Sequence, residues 1–215
     1  MLPAVSECLV WLMTLLLVSR ADEFQHRSVG SQALRVLQPM NGRRSERNRQ
    51  RIDTYFKFVF VRHPLDRLLS AFREKFRLVP EYMHSYGRRI IRQYRANATT
   101  ESLERGDDVT LEEFVRFMVD TGLRFRKDVH WTSQYKLCQP CAISYDFIGH
   151  YETLWSDGDY VLQRLGINSD VRFPRWTKNR THNQPYESAY DSVRPEYMKR
   201  LKKLYSRDYE FFGYT

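Results

Sequence analysis

Arg62 and Ser70 stand eight residues apart in VFVRHPLDRLLSAFREKF, residues 59 to 76, a guanidinium and a hydroxyl on either side of a proline turn. An Arg that ends a strand before a helix-opening turn has the geometry of an anion site, although an Arg beside a Pro is more often surface decoration. Arginine grips a phosphate bidentately, while the free N–H groups and positive end of a helix that starts in the turn point at the same charge. A second cluster lies in DVHWTSQYKLCQPC, residues 128 to 141. An imidazole titrates near neutrality, as a general base requires, which makes His130 the candidate base. The alternative for His130 is an imidazole that hydrogen-bonds a neighbouring loop beside Trp131. His63 sits in the proline turn and is read as packing there; His150 and His182 stay open as alternatives.

Cys138 and Cys141 form a C-x-x-C pair with an internal proline. Zinc would need two further ligands, and the chain offers only Cys8 and scattered histidines. A thioredoxin-type site belongs at a strand-to-helix turn, whereas this pair precedes an expected strand. A short-range structural disulfide in an oxidising lumen is the expectation, with two buried thiols as the alternative.

These groups must be positioned by an α/β framework. Residues 55 to 61, aromatic and β-branched, read as a strand covered on both faces of a parallel sheet. Pro64 supplies the turn and opens a helix with Leu65, Leu68, Leu69, Phe72 and Phe76 as its apolar stripe. Asp66, Ser70, Arg73 and Arg77 form its polar flank. Thr110 and Glu113 make a capping box, with Val109 against Phe114 as a hydrophobic staple, for a helix ending near Gly122. Residues 142 to 150 read as a second buried strand, followed by a helix interrupted by Gly158. Pro195 starts a basic C-terminal helix through RPEYMKRLKKLYSRD, and residues 168 to 193 lack a clear period.

At 215 residues the chain suits one compact domain. Its net charge of +9 points to anionic partners. Neither a paired Cys/His zinc-finger spacing nor an aromatic RNA-binding signature is present; an acidic polysaccharide with an anionic nucleotide accounts for the same excess, and a merely well-solvated basic surface stays open as the alternative. Much of the charge sits in GRRSERNRQR, residues 42 to 51, which reads as a basic loop or linker. Residues 1 to 25 form an apolar leader. Its run from Cys8 is apolar for about eleven residues, signal-peptide length and short of the roughly twenty that span a bilayer. Glu7 precedes it where a positive residue is usual, which leaves a buried helix or residual anchor as alternatives. Asn97-Ala-Thr and Asn179-Arg-Thr are glycosylation acceptors in a secreted chain.

VRHPLDRLLSAFREKF closely resembles the 3′-phosphate motif of the Golgi carbohydrate sulfotransferases, the group that includes chondroitin and dermatan 4-O-sulfotransferases. DVHWTSQYKLCQPCAISYDFIGHYETL, residues 128 to 154, is similar to a second block of that family, and the terminal DYEFFGYT to its close. The resemblance runs from about residue 52 to the end. It implies a P-loop-NTPase-like sulfotransferase fold, a central parallel sheet flanked by helices, over residues 26 to 215. It also implies 3′-phosphoadenosine 5′-phosphosulfate as donor without a metal, with Arg62 and Ser70 on the 3′-phosphate. The implied acceptor is position 4 of N-acetylgalactosamine in a chondroitin- or dermatan-type glycan, with position 4 of terminal N-acetylgalactosamine and position 3 of glucuronic acid, the sites of other relatives, as alternatives. The implied place is the Golgi lumen, type II in the membrane or secreted in this form. Two other classes stand beside this reading: a catalytically impaired relative that binds nucleotide or acidic glycan, and a basic nucleic-acid-binding domain.

The family carries an upstream 5′-phosphosulfate loop reading Pro-Lys-x-Gly or Ala followed by small hydroxyl or Cys residues. The nearest match is HRSVGSQALRVL, residues 26 to 37, where Val29, Gly30 and Ser31 fit but Arg27 and Ser28 replace Pro and Lys. The missing lysine would act where charge develops. The expectation is an alternative or incomplete N-terminus, with Arg27 standing in for the lysine from one residue away as the alternative; nucleotide binding is expected, with turnover strongly reduced or absent.

Overall fold

The computed structural model describes residues 52–121, 128–167, 172–173 and 186–215. They divide into two compact units, one made of segments up to His63 and from Gln134 to Asn179, the other of Pro64–Ser133 and Arg180–Thr215.

In the first unit, β1 (Phe58–Val61) pairs in parallel with β2 (Phe147–His150), with Phe58 opposite Phe147 and Val61 opposite His150. All four residues of β1 are buried, as a continuous apolar run in a covered parallel strand requires. Both strands are shorter than expected. At their common start the Lys57 N–H donates to the Asp146 carboxylate (2.7 Å), and the Asp146 N–H donates to the Lys57 carbonyl (2.7 Å). This clasp sets where pairing begins and leaves residues 142 to 146 in turns and irregular backbone. A helix α1 (Leu154–Arg164) follows β2 through a 3₁₀ turn, Tyr151–Thr153, and buries Val161 against Phe58 and Phe60. It runs unbroken through Gly158, contrary to the expected interruption. A Cβ at Gly158 would lie 2.4 Å from Cγ of Phe173, so the glycine makes room for that ring.

The second unit is helical. Its α2 (Pro64–Leu78) starts at the proline and buries Leu65, Leu68, Leu69, Phe72 and Phe76, the predicted stripe, while Asp66, Ser70 and Arg73 stay half-buried. After it come α3 (Pro80–Tyr82), a π turn (Met83–Gly87) and α4 (Arg88–Tyr94). Gly87 and Gly106 touch through their backbones. A Cβ on Gly87 would sit 2.0 Å from the Gly106 carbonyl oxygen, and Gly106 itself holds a left-handed φ of 69° as it closes α5 (Thr100–Arg105).

The capping box of α6 (Leu111–Thr121) forms as read. The Glu113 N–H donates to Thr110 Oγ1 (3.2 Å), and the Thr110 N–H donates back to the Glu113 carboxylate (2.9 Å). Val109 and Phe114, the predicted staple, are buried in the same core. Phe114 is also the hub of an aromatic group, with ring centroids 5.3 Å from Phe72, 5.3 Å from Phe76 and 5.6 Å from Trp131.

Within the first unit, α7 (Gln134–Cys138) precedes β2; the second unit closes with α8 (Tyr186–Tyr190), α9 (Pro195–Leu204) and α10 (Ser206–Phe212). The single C-terminal helix of the sequence reading is thus two. Tyr205 lies at the break, buried, and its hydroxyl donates to the Trp131 carbonyl (2.7 Å).

Candidate active site

The end of β1 is held by a side chain. Gln134 lies against the Arg62 backbone as a strand would: its Oε1 accepts from the Arg62 N–H (3.0 Å) and its Nε2 donates to the Arg62 carbonyl (2.7 Å). One residue on, the His63 N–H donates to the Glu152 carboxylate (2.9 Å). The Arg62 guanidinium lies over the Tyr151 ring, 4.6 Å from its centroid. A planar cation stacked on an aromatic face gives up side-chain freedom in advance. His63 is buried, in keeping with a packing role in the turn.

On α2, Ser70 is half-buried, and its hydroxyl makes no hydrogen bond to another described residue. Three residues earlier, Arg67 points inward and is 3% exposed. Its Nη1 donates to the Thr132 carbonyl (2.8 Å) and its Nη2 to the Val129 carbonyl (2.7 Å). The two carbonyls bracket His130 and Trp131. The helix that carries Ser70 therefore also carries the clamp on the turn that carries His130.

That turn is built on Asp128. Its backbone carbonyl accepts from the Thr132 N–H (2.9 Å) and hydroxyl (2.7 Å), and its Oδ1 accepts from the His130 N–H (2.9 Å). Trp131 is wholly buried and ties the turn into the aromatic core. The His130 ring lies against the same carboxylate, Nδ1 to Oδ1 at 2.7 Å. The Tyr82 hydroxyl donates to Oδ2 (2.8 Å) and is 3.1 Å from Nδ1. Burial opposes ionisation of Asp128, but hydrogen bonds from His130 and Tyr82 outweigh it and hold the carboxyl below its ordinary range. Burial first, then the bond to Asp128, pushes the Tyr82 phenol far above its ordinary range, so it stays a donor.

Other expected site residues fare differently. His150 ends β2, its N–H donating to Asp157 (2.8 Å). Asn97 is exposed in the turn before α5, and Thr99 of its acceptor triplet caps that helix through the Ser102 N–H (3.1 Å). Cys138 and Cys141 are two thiols here, not the expected bridge; Cys138 is half-buried, and exposed Cys141 lies 3.4 Å from the Tyr135 hydroxyl. Gln139 between them holds a left-handed φ of 48°. Gly30, Ser31, Asn179, His182, the apolar leader and the basic stretch 42 to 51 lie outside the described residues. Among the described residues no helix is long and apolar enough to cross a membrane, and no group of three His, Cys, Asp or Glu could hold a metal.

The sequence profile of the Sulfotransferase family matches residues 8–215. The chain belongs to that family. It is 44% identical to carbohydrate sulfotransferase 14 of Danio rerio over 172 residues, covering 79% of this chain and 46% of the relative. It is 39% identical to carbohydrate sulfotransferase 11 of Mus musculus over 170 residues, 77% of this chain and 48% of the relative. Carbohydrate sulfotransferase 9 of Homo sapiens is 40% identical over 174 residues, 77% of this chain and 39% of the relative. The chain thus spans about half the length, or less, of these curated relatives. No solved structure matches it.

Sequence reasoning missed five residues that hold the candidate residues in place. Asp128 was signalled locally, because an Asp two residues before a His is the spacing of a side-chain-capped turn. Gln134 and Glu152 fall inside the quoted family block without any pattern that gives their roles. Tyr82 and Arg67 act across 48 and 65 residues of chain and leave no local signal.

Proposed function

We propose that this chain binds 3′-phosphoadenosine 5′-phosphosulfate and transfers its sulfuryl group to a sugar hydroxyl. Arg62 and Ser70 hold the 3′-phosphate and His130 takes the acceptor proton. The observation that carries the reading is the Arg67 clamp, which fastens the His130 turn to the helix bearing Ser70. Two supporting facts are the Ser70 hydroxyl, unused by the described residues, and the Arg62 guanidinium pre-set over Tyr151. In the transfer, the acceptor oxygen attacks sulfur as its proton passes to His130. The bond from sulfur to the bridging phosphate oxygen breaks, and 3′-phosphoadenosine 5′-phosphate leaves with the electron pair. Arg62 and Ser70 act far from that bond, so they contribute binding and alignment.

The acceptor in this proposal is an acidic glycan of the chondroitin or dermatan type, at position 4 of N-acetylgalactosamine, consistent with the basic chain. The β1–β2 pair would belong to a larger P-loop-like sheet within one domain. The setting would be the Golgi lumen, where Cys138 and Cys141 could close as a disulfide and Asn97 and Asn179 carry glycans. Arg27 and Ser28, in place of Pro and Lys, favour a chain that binds nucleotide with turnover strongly reduced.

Isothermal titration with 3′-phosphoadenosine 5′-phosphate tests the nucleotide site; absence of saturable binding would refute it and return the chain to the class of basic polyanion binders. Labelled donor with desulfated chondroitin, dermatan and N-glycan acceptors tests the sugar, and transfer to heparan alone would overturn the acceptor. The double substitution R27P/S28K should raise transfer. A rate in the unaltered chain matching that of an intact family member, with R27A neutral, would show that the 5′ site lies elsewhere.

A further inference from the structure

We infer that Asp128 is the positioning residue for His130: it accepts a hydrogen bond from the imidazole Nδ1–H, leaving Nε2 as the nitrogen that accepts the substrate proton, with Tyr82 fixing the carboxylate. The inference rests on the reading of His130 as the base. The geometry decides the tautomer. Tyr82 has one phenolic proton, and it lies between Asp128 Oδ2 at 2.8 Å and His130 Nδ1 at 3.1 Å. Were that proton given to Nδ1, the nitrogen would carry a lone pair, and its 2.7 Å approach to Asp128 Oδ1 would set lone pair against carboxylate. With the proton on Nδ1, both short contacts are donor to acceptor: Nδ1–H to Oδ1, and the phenol to Oδ2.

No hydrogen bond among the described residues reaches Nε2. The side chains of His130 and Asp128 are 15% and 12% exposed, so the pair is largely screened from water. The same carboxylate oxygen also accepts the His130 backbone N–H, which fixes ring and backbone against one group. When the acceptor hydroxyl gives its proton to Nε2, its oxygen bonds to sulfur and the bridging oxygen departs. The imidazole then carries two N–H groups and one positive charge beside the Asp128 carboxylate, which stabilises it.

The test reads the imidazole directly. Two-bond ¹H–¹⁵N spectra of the full chain, with His130 assigned by its loss in H130A, should show the Nδ1–H tautomer for neutral His130. In D128A the population should move to Nε2–H, while affinity for 3′-phosphoadenosine 5′-phosphate stays within twofold. An Nε2–H ring in the unaltered chain, or an unmoved Nδ1–H ring in D128A, overturns the inference. Should D128A not fold, D128N keeps an oxygen for the backbone and is read by kinetics in the R27P/S28K background. There kcat should fall at least about tenfold with the donor KM unchanged; an unchanged kcat overturns the inference. H130A separates the two readings. Full turnover in H130A removes the base assignment, whereas loss of turnover in H130A with D128N intact leaves the base standing and removes Asp128 alone.

Discussion

Replacing Arg67 with methionine should cost more stability than any surface arginine in this chain. The side chain is 3% exposed and its two hydrogen bonds, 2.8 and 2.7 Å, end on the carbonyls of Thr132 and Val129. Methionine fills much of the volume but leaves both carbonyls without that donor. A hydrogen bond to a charged group contributes about 1.5 to 3 kcal/mol, so losing two costs on the order of 3 to 5 kcal/mol once the methionine's burial is set against it. Against a total of roughly 5 to 15 kcal/mol this is a large share, and at about 2 to 4 °C per kcal/mol it lowers the melting temperature by roughly 6 to 20 °C. Lysine at the same site keeps the charge but lacks the planar fork that meets two carbonyls at once, so R67K should recover less than half of the loss. Urea unfolding of the three proteins measures this. A cost below about 1 kcal/mol for R67M, or equal stability of R67K and the unaltered chain, would refute the clamp.

R62A should weaken 3′-phosphoadenosine 5′-phosphate binding roughly 10- to 150-fold, and S70A less, with unfolding midpoints unchanged; calorimetric titration of both variants checks this, and unchanged affinity in both would remove the phosphate assignment. Asp128 and Glu113 are both held below their ordinary carboxylate ranges, burial being outweighed by hydrogen bonds from His130 and Tyr82 in one case and from Arg95 and Thr110 in the other. A depressed carboxylate stabilises the fold fully above its unfolded pKa, ordinarily 3.8 for Asp and 4.5 for Glu, and loses that contribution as pH falls through its folded value. Denaturation midpoints should therefore drop from about pH 4.5 downward, and the drop should be shallower in D128N. G158A should destabilise the chain despite the roughly 1 kcal/mol helix preference of alanine, because its Cβ would sit 2.4 Å from Phe173 Cγ; a raised melting temperature would show that the ring can move aside.

What the sequence made legible follows from the range of each interaction. The Thr110–Glu113 box, the Pro64 helix start and the stripe from Leu65 to Phe76 are set within one or two turns of chain, so spacing alone reveals them. The contacts that hold the candidate residues span longer intervals. Gln134 meets Arg62 across 72 residues, Glu152 meets His63 across 89 and Tyr82 meets His130 across 48, and none of these leaves a period behind. The misreadings have the same origin. Gly158 resembles a helix break until Phe173 is placed on it, and the C-terminal helix looks continuous until Tyr205 is drawn to the Trp131 carbonyl. Asp128 is the intermediate case. Its bond to the His130 backbone was readable from two-residue spacing, yet the carboxylate shared between imidazole and phenol needs Tyr82 brought in from α3. The His-Trp block thus points to the candidate base, while the carboxylate proposed to orient its ring is itself held by a tyrosine that no local pattern connects to it.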